Sequence, residues 1–269
     1  MLYYIIFIMI LYVICHDDKS LEKARILCQH WETKISTDQA SSEISFRTKI
    51  VKLNPSPFME SSIYPILKHN FLKDWENEDY VGIVTYSVLD KLSKFKKQRI
   101  DIDWMTIVKQ ATEHNVDVIG IFCLEFKRGQ DSDLSLIESA VFHHGLNFYR
   151  AWRALLLELG YTEEMIDENT DKAGFFCNWT LSKPEFLKEY IDFVEKAMHI
   201  VNTNPKINEL FFKNSHYGKG NTTDEQKMAL FGRNYYTIHP FVFERILSFY
   251  LYYRKGLRVG SINRMFMRI

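Results

Sequence analysis

The sequence predicts an α/β fold in which a mostly parallel central sheet is flanked by helices, with a helix-rich C-terminal part. Two observations carry this. Short apolar, β-branched segments at residues 9–15, 80–86 and 116–123 have the composition of strands buried on both faces. Segments of helical period separate them, and such an alternation implies parallel strands joined by crossover helices. A length of 269 residues with 46% hydrophobic and 15% aromatic content is enough for one large core, and too apolar for a disordered chain.

Residues 1–15 are uncharged and nearly all apolar. That is shorter than the ~18–20 residues that span a bilayer. The segment also lacks a basic leading stretch and a small-residue cleavage site. A buried first strand over residues 9–15, ended by the turn His16-Asp17-Asp18, fits better than a membrane anchor. Met9 is then an alternative start, and residues 1–8 are an N-terminal extension.

Residues 21–31 follow with helical spacing, capped by Asp18 or Ser20. Residues 36–45 read as a loop and 49–53 as a second strand. The prolines of Asn54-Pro-Ser-Pro57 keep that stretch out of a helix. One helix is expected over residues 60–75, a strand over 80–86, a short helix over 89–95, and another from Asp101 or Asp103 to His114. A strand then covers residues 116–123. In the second half, helices are expected over residues 148–159, 185–201 and 241–253, with a short strand or loop at 174–180. Residues 202–223, polar and rich in Gly and Asn, read as a mobile loop. The basic tail has no element assigned.

Lys+Arg and Asp+Glu balance at 34 each, so there is no net drive toward nucleic acid, and none is expected as a partner. The four cysteines, Cys15, Cys28, Cys123 and Cys177, show no metal or redox spacing and read as free thiols of a reducing, cytoplasmic compartment. No phosphate-cradling glycine loop, GxSxG elbow or HExxH helix is present.

The chemistry-bearing residues are carboxylates, histidines and aromatics. Asp17-Asp18 closes the first strand, and ligands of open α/β sheets bind outside the carboxyl ends of strands. A helix cap explains the same pair. Asp101-Ile-Asp103 matches a DxD pattern but stands where helix-capping Asp is common. Asp131-Ser-Asp133 lies in a loop after a strand, a better position for Mg²⁺ or Mn²⁺, whose preferred ligands are oxygens. A solvated loop accounts for it equally simply. His143-His144-Gly145 precedes a helix and offers an acid–base group or a phosphate donor. Glu244-Arg245 opens an apolar helix after Tyr235-Tyr236-Thr237-Ile238-His239, where it serves either a ligand or an internal ion pair. Trp179, Tyr235 and Tyr236 are the aromatics assigned to an acceptor surface. Asn178-Trp-Thr180 and Asn221-Thr-Thr223 match the glycosylation sequon, and without a secretory signal they read as chance.

Several stretches together resemble glycosyltransferase-like proteins of large DNA viruses and of capsular-polysaccharide loci. The opening Ile10-Leu-Tyr-Val-Ile-Cys-His-Asp-Asp18 is similar to their first strand. Glu60-Ser-Ser-Ile-Tyr64, then Trp75-Glu-Asn-Glu-Asp-Tyr-Val-Gly82 and Thr85-Tyr86, are similar to a segment of an uncharacterised capsule-biosynthesis family. Phe175-Phe-Cys-Asn-Trp179 and His239-Pro-Phe-Val-Phe-Glu-Arg245 resemble its later blocks.

The resemblance implies a single Rossmann-like domain of the GT-A type. It also implies transfer of a sugar from a nucleotide-sugar donor to a glycan acceptor. The donor side would use His16, Asp17, Asp18, Glu60 and Tyr86, and the reacting centre His143, His144, His239 and Glu244. No DxD directly follows a central hydrophobic strand, so dependence on Mg²⁺ or Mn²⁺ is not implied with the rest. A non-catalytic α/β binding protein and another nucleotide-dependent transferase are the alternatives.

Overall fold

The computed structural model describes residues 7–38, 44–125, 135–168, 173–218, 222–262 and 264–267. The elements run β1 (Phe7–Cys15), α1 (Asp18–Asp38), β2 (Ile44–Lys52), α2 (Ile63–Phe71), β3 (Tyr80–Thr85), α3 (Val88–Lys96), α4 (Trp104–Glu113), β4 (Val118–Gly120), β5 (Cys123–Glu125), α5 (Leu136–His144), α6 (Leu146–Glu158) and α7 (Glu163–Glu168). There follow β6 (Ala173–Phe175), β7 (Thr180–Ser182), α8 (Pro184–Thr203), α9 (Pro205–Phe211), α10 (Asp224–Phe231), α11 (His239–Tyr253), β8 (Val259–Ser261) and β9 (Arg264–Met267).

Seven strands form one sheet in the order β2-β1-β3-β7-β4-β8-β9. β1 pairs in parallel with β2 and β3. β7 is antiparallel to both β3 and β4, so β4 regains the direction of β1, and β8 follows it in parallel. β9 reverses at the edge. The sheet is therefore mostly parallel with two antiparallel members, the α/β architecture expected.

β1 shows why the sheet is a divider. Its even residues Ile10, Tyr12 and Ile14 enter one core, with α2, α6, α8 and α11. Its odd residues Met9, Leu11, Val13 and Cys15 enter a second core, with α1 and α4. Side chains alternate across a strand, so an unbroken apolar run fits only a strand covered on both faces.

Several elements differ from the sequence reading. β1 begins at Phe7, inside the expected extension, and Ile8 exchanges hydrogen bonds with Asp79. The single helix expected over 60–75 is a 3-10 turn at Met59–Ser62, then α2, then a 3-10 turn at Leu72–Trp75. The strand expected over 116–123 stops at Gly120. The chain then leaves the sheet and pairs β5 with β6 in a separate two-stranded ribbon. Within 202–223, Asn204 caps α9 by accepting from the Lys206 and Ile207 amides, and Pro205 supplies the preset first turn. The tail adds β8 and β9, which are too short to show a period.

Candidate functional site

β1, β2 and β3 end level with one another. Cys15 lies opposite Lys52, Ile14 lies opposite Thr85, and the Tyr86 amide donates to the Ile14 carbonyl at 3.0 Å. The corner beyond these ends is where an open α/β sheet receives ligands.

The turn after β1 is rigid. The buried Ser20 hydroxyl accepts from the His16 and Asp17 amides, both at 2.9 Å, and donates to the Asp17 carbonyl. Asp17 Oδ1 accepts the Ser20 amide at 2.6 Å. This bond, with the further help of the Ser20 hydroxyl, lowers the Asp17 pKa. Asp18 opens α1 with its carboxylate 90% exposed and paired to Lys52 Nζ at 2.6 Å. Asp17 is thus held on the Ser20 amide and acts on Tyr86 only electrostatically, while Asp18 serves the helix start and β2.

Glu60 arrives on the 3-10 turn, fixed because the Phe58 ring meets His239 and Phe243 of α11 edge-on at 5.2 and 4.8 Å. Its Oε1 lies 3.9 Å from His16 Nε2. Tyr86 follows β3. Burial raises its pKa, as do Asp17 and Glu60, with Lys91 opposing.

Lys91, on the first turns of α3, was not singled out from the sequence. Its Nζ lies 3.7 Å from Cys177 Sγ and 5.1 Å from the Trp179 ring centroid. Burial opposes its charge, yet Glu60 and Glu244 favour the charged form and its pKa lies above the ordinary value. Burial drives the Cys177 thiol pKa up, and Glu244 adds to this, so the thiol is neutral.

The fourth side comes from the turn between β6 and β7. Cys177 and Asn178 both take left-handed backbone, φ 63° and 54°, and Met59 beside Glu60 does so at 48°. Such conformations cost a side-chain-bearing residue about 1 kcal/mol or more, and they cluster where geometry is over-determined. The turn is pinned by the Ile121 amide donating to the Trp179 carbonyl and the Phe175 amide donating to Ser248 Oγ. The Cys177 amide donates to Glu244 Oε1 at 3.0 Å. The Asn178 amide group donates to Ser61 Oγ at 2.8 Å in the interior, which closes that sequon to modification.

Glu244 is 26% exposed and also accepts from Arg245 Nη1 at 3.3 Å. Arg245 is buried between the Phe148 and Phe176 rings, and its Nη1 donates to the Phe241 carbonyl. The Tyr217 ring packs on Phe241, Tyr236 and His144, and burial raises its pKa, with Glu244 adding to the effect.

The structure thus brings His16, Asp17, Glu60, Tyr86 and Glu244 to one corner and adds Lys91, Cys177 and Tyr217. The other expected residues are packed behind this corner or lie elsewhere. His239 is buried among Phe58, Phe211 and Phe212, its Nδ1 3.0 Å from Thr237 Oγ1. Burial lowers its pKa to about 3. His144 is buried and stacked on Phe241. Burial lowers its pKa to about 3, with Arg245 and His143 adding to the effect. His143 is exposed beside Phe142. Trp179 has no exposed face and is the floor beneath Lys91. Tyr236 is buried with its hydroxyl on Thr222, and Tyr235 donates to the Phe212 carbonyl at 3.2 Å. A separate cavity of about 190 Å³ between α4 and β8 is almost wholly apolar.

Asp131 and Asp133 fall outside the described residues. Asp103 caps α4 through the Thr106 amide, and Asp101 accepts from His30, Trp31, Lys34 and the Ile102 amide. Among the described residues no three His, Cys, Asp or Glu side chains gather as a metal site. Among the described residues the corner offers no ready-made dication site: β3 runs into Thr85-Tyr86-Ser87 without a carboxylate, and Glu244 is already held by the Cys177 amide and Arg245. No described helix is long and apolar enough to cross a membrane.

No family model and no curated protein matches this sequence. Among solved structures, the chain is similar to the apo form of the bifunctional glycosyltransferase WbbM, with a TM-score of 0.48 and 12% identity over 98% of this chain. It spans 45% of that protein's chain. It is also similar to core-mannan synthase A of Aspergillus fumigatus in a Mn/GDP form, with a TM-score of 0.30 and 10% identity over 96% of this chain and 73% of the other.

Proposed function

We propose that this chain is a glycosyltransferase that moves a sugar from a nucleotide-sugar donor to a hydroxyl of a glycan acceptor. The observation that supports it best is the convergence of Asp17, Glu60, Tyr86 and Glu244 at the carboxyl ends of β1 and β3, contributed by four separate stretches of chain. In this reading the donor lies against the turn after β1 and against Tyr86. Glu244, its carboxylate aimed by the Cys177 amide, takes the proton of the acceptor hydroxyl. The acceptor oxygen bonds to the anomeric carbon as the bond to the diphosphate breaks, and the electron pair leaves with the diphosphate. Tyr217 offers the acceptor sugar a stacking face.

A thermal-shift panel of UDP-, GDP- and dTDP-sugars and of nucleoside triphosphates on the full chain tests this. Stabilisation by one sugar nucleotide is the expected result. A response to nucleoside triphosphates alone would favour another nucleotide-dependent transferase. No response to any nucleotide would favour a non-catalytic binding protein.

A further inference from the structure

We propose that Lys91 is the cation of this site: its ammonium binds the donor diphosphate and stabilises it as it leaves, so that transfer needs no divalent metal. The inference rests on the glycosyltransferase reading and adds the residue that makes it work.

Four observations support it. First, Lys91 stands where charge is needed, on the helix that follows β3, beside Tyr86 at the carboxyl edge of the sheet. Second, its ammonium is not consumed. Among the described residues no ion pair holds it. Its near neighbours are a neutral thiol at 3.7 Å and the flat Trp179 ring at 5.1 Å, and the side chain reaches solvent. Other lysines of the chain end on carboxylates, Lys34 on Asp101 and Lys68 on Asp192, both at 2.8 Å. Third, Glu60 and Glu244 both favour the charged amine, and among the described residues neither forms an ion pair with it. One N–H donates to Cys177 Sγ, and an ammonium carries two more that can reach phosphate oxygens. Fourth, β3 leads into Thr85-Tyr86-Ser87, which contains no carboxylate, and among the described residues no metal cluster gathers.

Charge develops on the bridging oxygen as the bond from the anomeric carbon breaks. A fixed ammonium hydrogen-bonded to the diphosphate stabilises that charge without any proton changing owner. Lys23, stacked over the Tyr86 ring at 5.8 Å, adds positive potential on the same side.

Isothermal titration of the full chain with UDP, GDP and dTDP, in EDTA and again with Mn²⁺, tests the proposal alongside Lys91→Gln and Lys91→Arg. One diphosphate should bind in EDTA with an affinity that Mn²⁺ leaves unchanged. Lys91→Gln should weaken it ~10- to 100-fold, the loss of one charged hydrogen bond, and Mn²⁺ should not restore it. Lys91→Arg, which keeps the charge, should bind, and it carries the comparison if the Gln variant does not fold. With the matching sugar nucleotide, Lys91→Gln should lower kcat more than it raises KM. Binding that requires Mn²⁺, or that ignores Lys91→Gln, overturns the role of Lys91 while leaving the transferase reading intact. No binding of any diphosphate or sugar nucleotide overturns both.

Discussion

The backbone N–H of Cys177 donates to Glu244 Oε1 at 3.0 Å, joining residues 67 apart in sequence across the mouth of the sheet. The bond is available because Cys177 adopts a left-handed backbone that turns its amide toward α11. Arg245, buried behind Glu244, contributes the second contact to the same carboxylate. One oxygen is thus held by the turn and the other by the arginine, which sets the direction of the carboxylate before any ligand arrives.

Glu244→Gln keeps an oxygen for the Cys177 amide and removes the basic carboxylate. Sugar transfer should fall by about 10²- to 10⁴-fold, the usual contribution of a general base. Circular dichroism and the thermal midpoint should stay close to those of the parent. Turnover at the parent rate would remove Glu244 from the mechanism.

Asp101 ties α1 to the segment before α4 by accepting from His30 Nε2 at 3.2 Å, Trp31 Nε1 at 3.3 Å and Lys34 Nζ at 2.8 Å. Burial opposes its charge, but Lys34, His30 and the Ile102 amide keep its pKa below the ordinary value. Asp101→Ala should cost about 1–2 kcal/mol in urea unfolding, reduced by its partial exposure. The kcat at saturating donor should not change. A selective loss of kcat with full stability would instead mark the Asp101-Ile-Asp103 pattern as part of the site.

His144 and His239 are held neutral in the folded chain, with pKa values of about 3 against an ordinary 6.5. Below pH 6.5 the unfolded chain takes up protons that the folded chain refuses, so the stability these groups allow at neutral pH is lost as the pH falls from 6.5 toward 3. At about pH 5.5 each histidine should cost ~1.4 kcal/mol relative to neutrality. His239→Gln removes one of the two. Whatever its effect at pH 7, the drop in unfolding free energy between about pH 7 and 5.5 should shrink by that amount. An unchanged drop would mean that the His239 imidazole does titrate in the folded state.

A methyl group on Gly120 would lie 1.8 Å from Phe175 Cδ1, because the β5–β6 ribbon folds its phenyl ring onto the end of β4. Gly120→Ala should therefore destabilise by about 1–3 kcal/mol, the range for overpacking. Adding Phe175→Ala should cost less in the Gly120→Ala background than in the parent, since the pair shares one space. Strict additivity in chemical denaturation would show that the ring does not press on Gly120.

Local chemistry made much of the fold legible. The apolar run of β1 could only be a strand covered on both faces. Asp103 marked the start of α4, and Pro184 that of α8. The end of β1 also pointed to the pair Asp17-Asp18, since the rim of such a sheet is known once its strands are known, but only the tertiary structure separates Asp18, paired with Lys52, from Asp17. The antiparallel insertion of β7 between β3 and β4 could not be read in this way, because three residues carry no period and their direction is set by the partners they meet. The same holds for β8 and β9. His144, His239 and Trp179 look like surface chemistry in one dimension. They are buried because aromatic neighbours from distant segments enclose them. Lys91 gave no signal at all in a helix otherwise rich in lysine. Its distinction is positional: the fold places Glu60, Cys177 and Glu244 around it from three other segments, and an electrostatic environment of that kind exists only once the chain has closed.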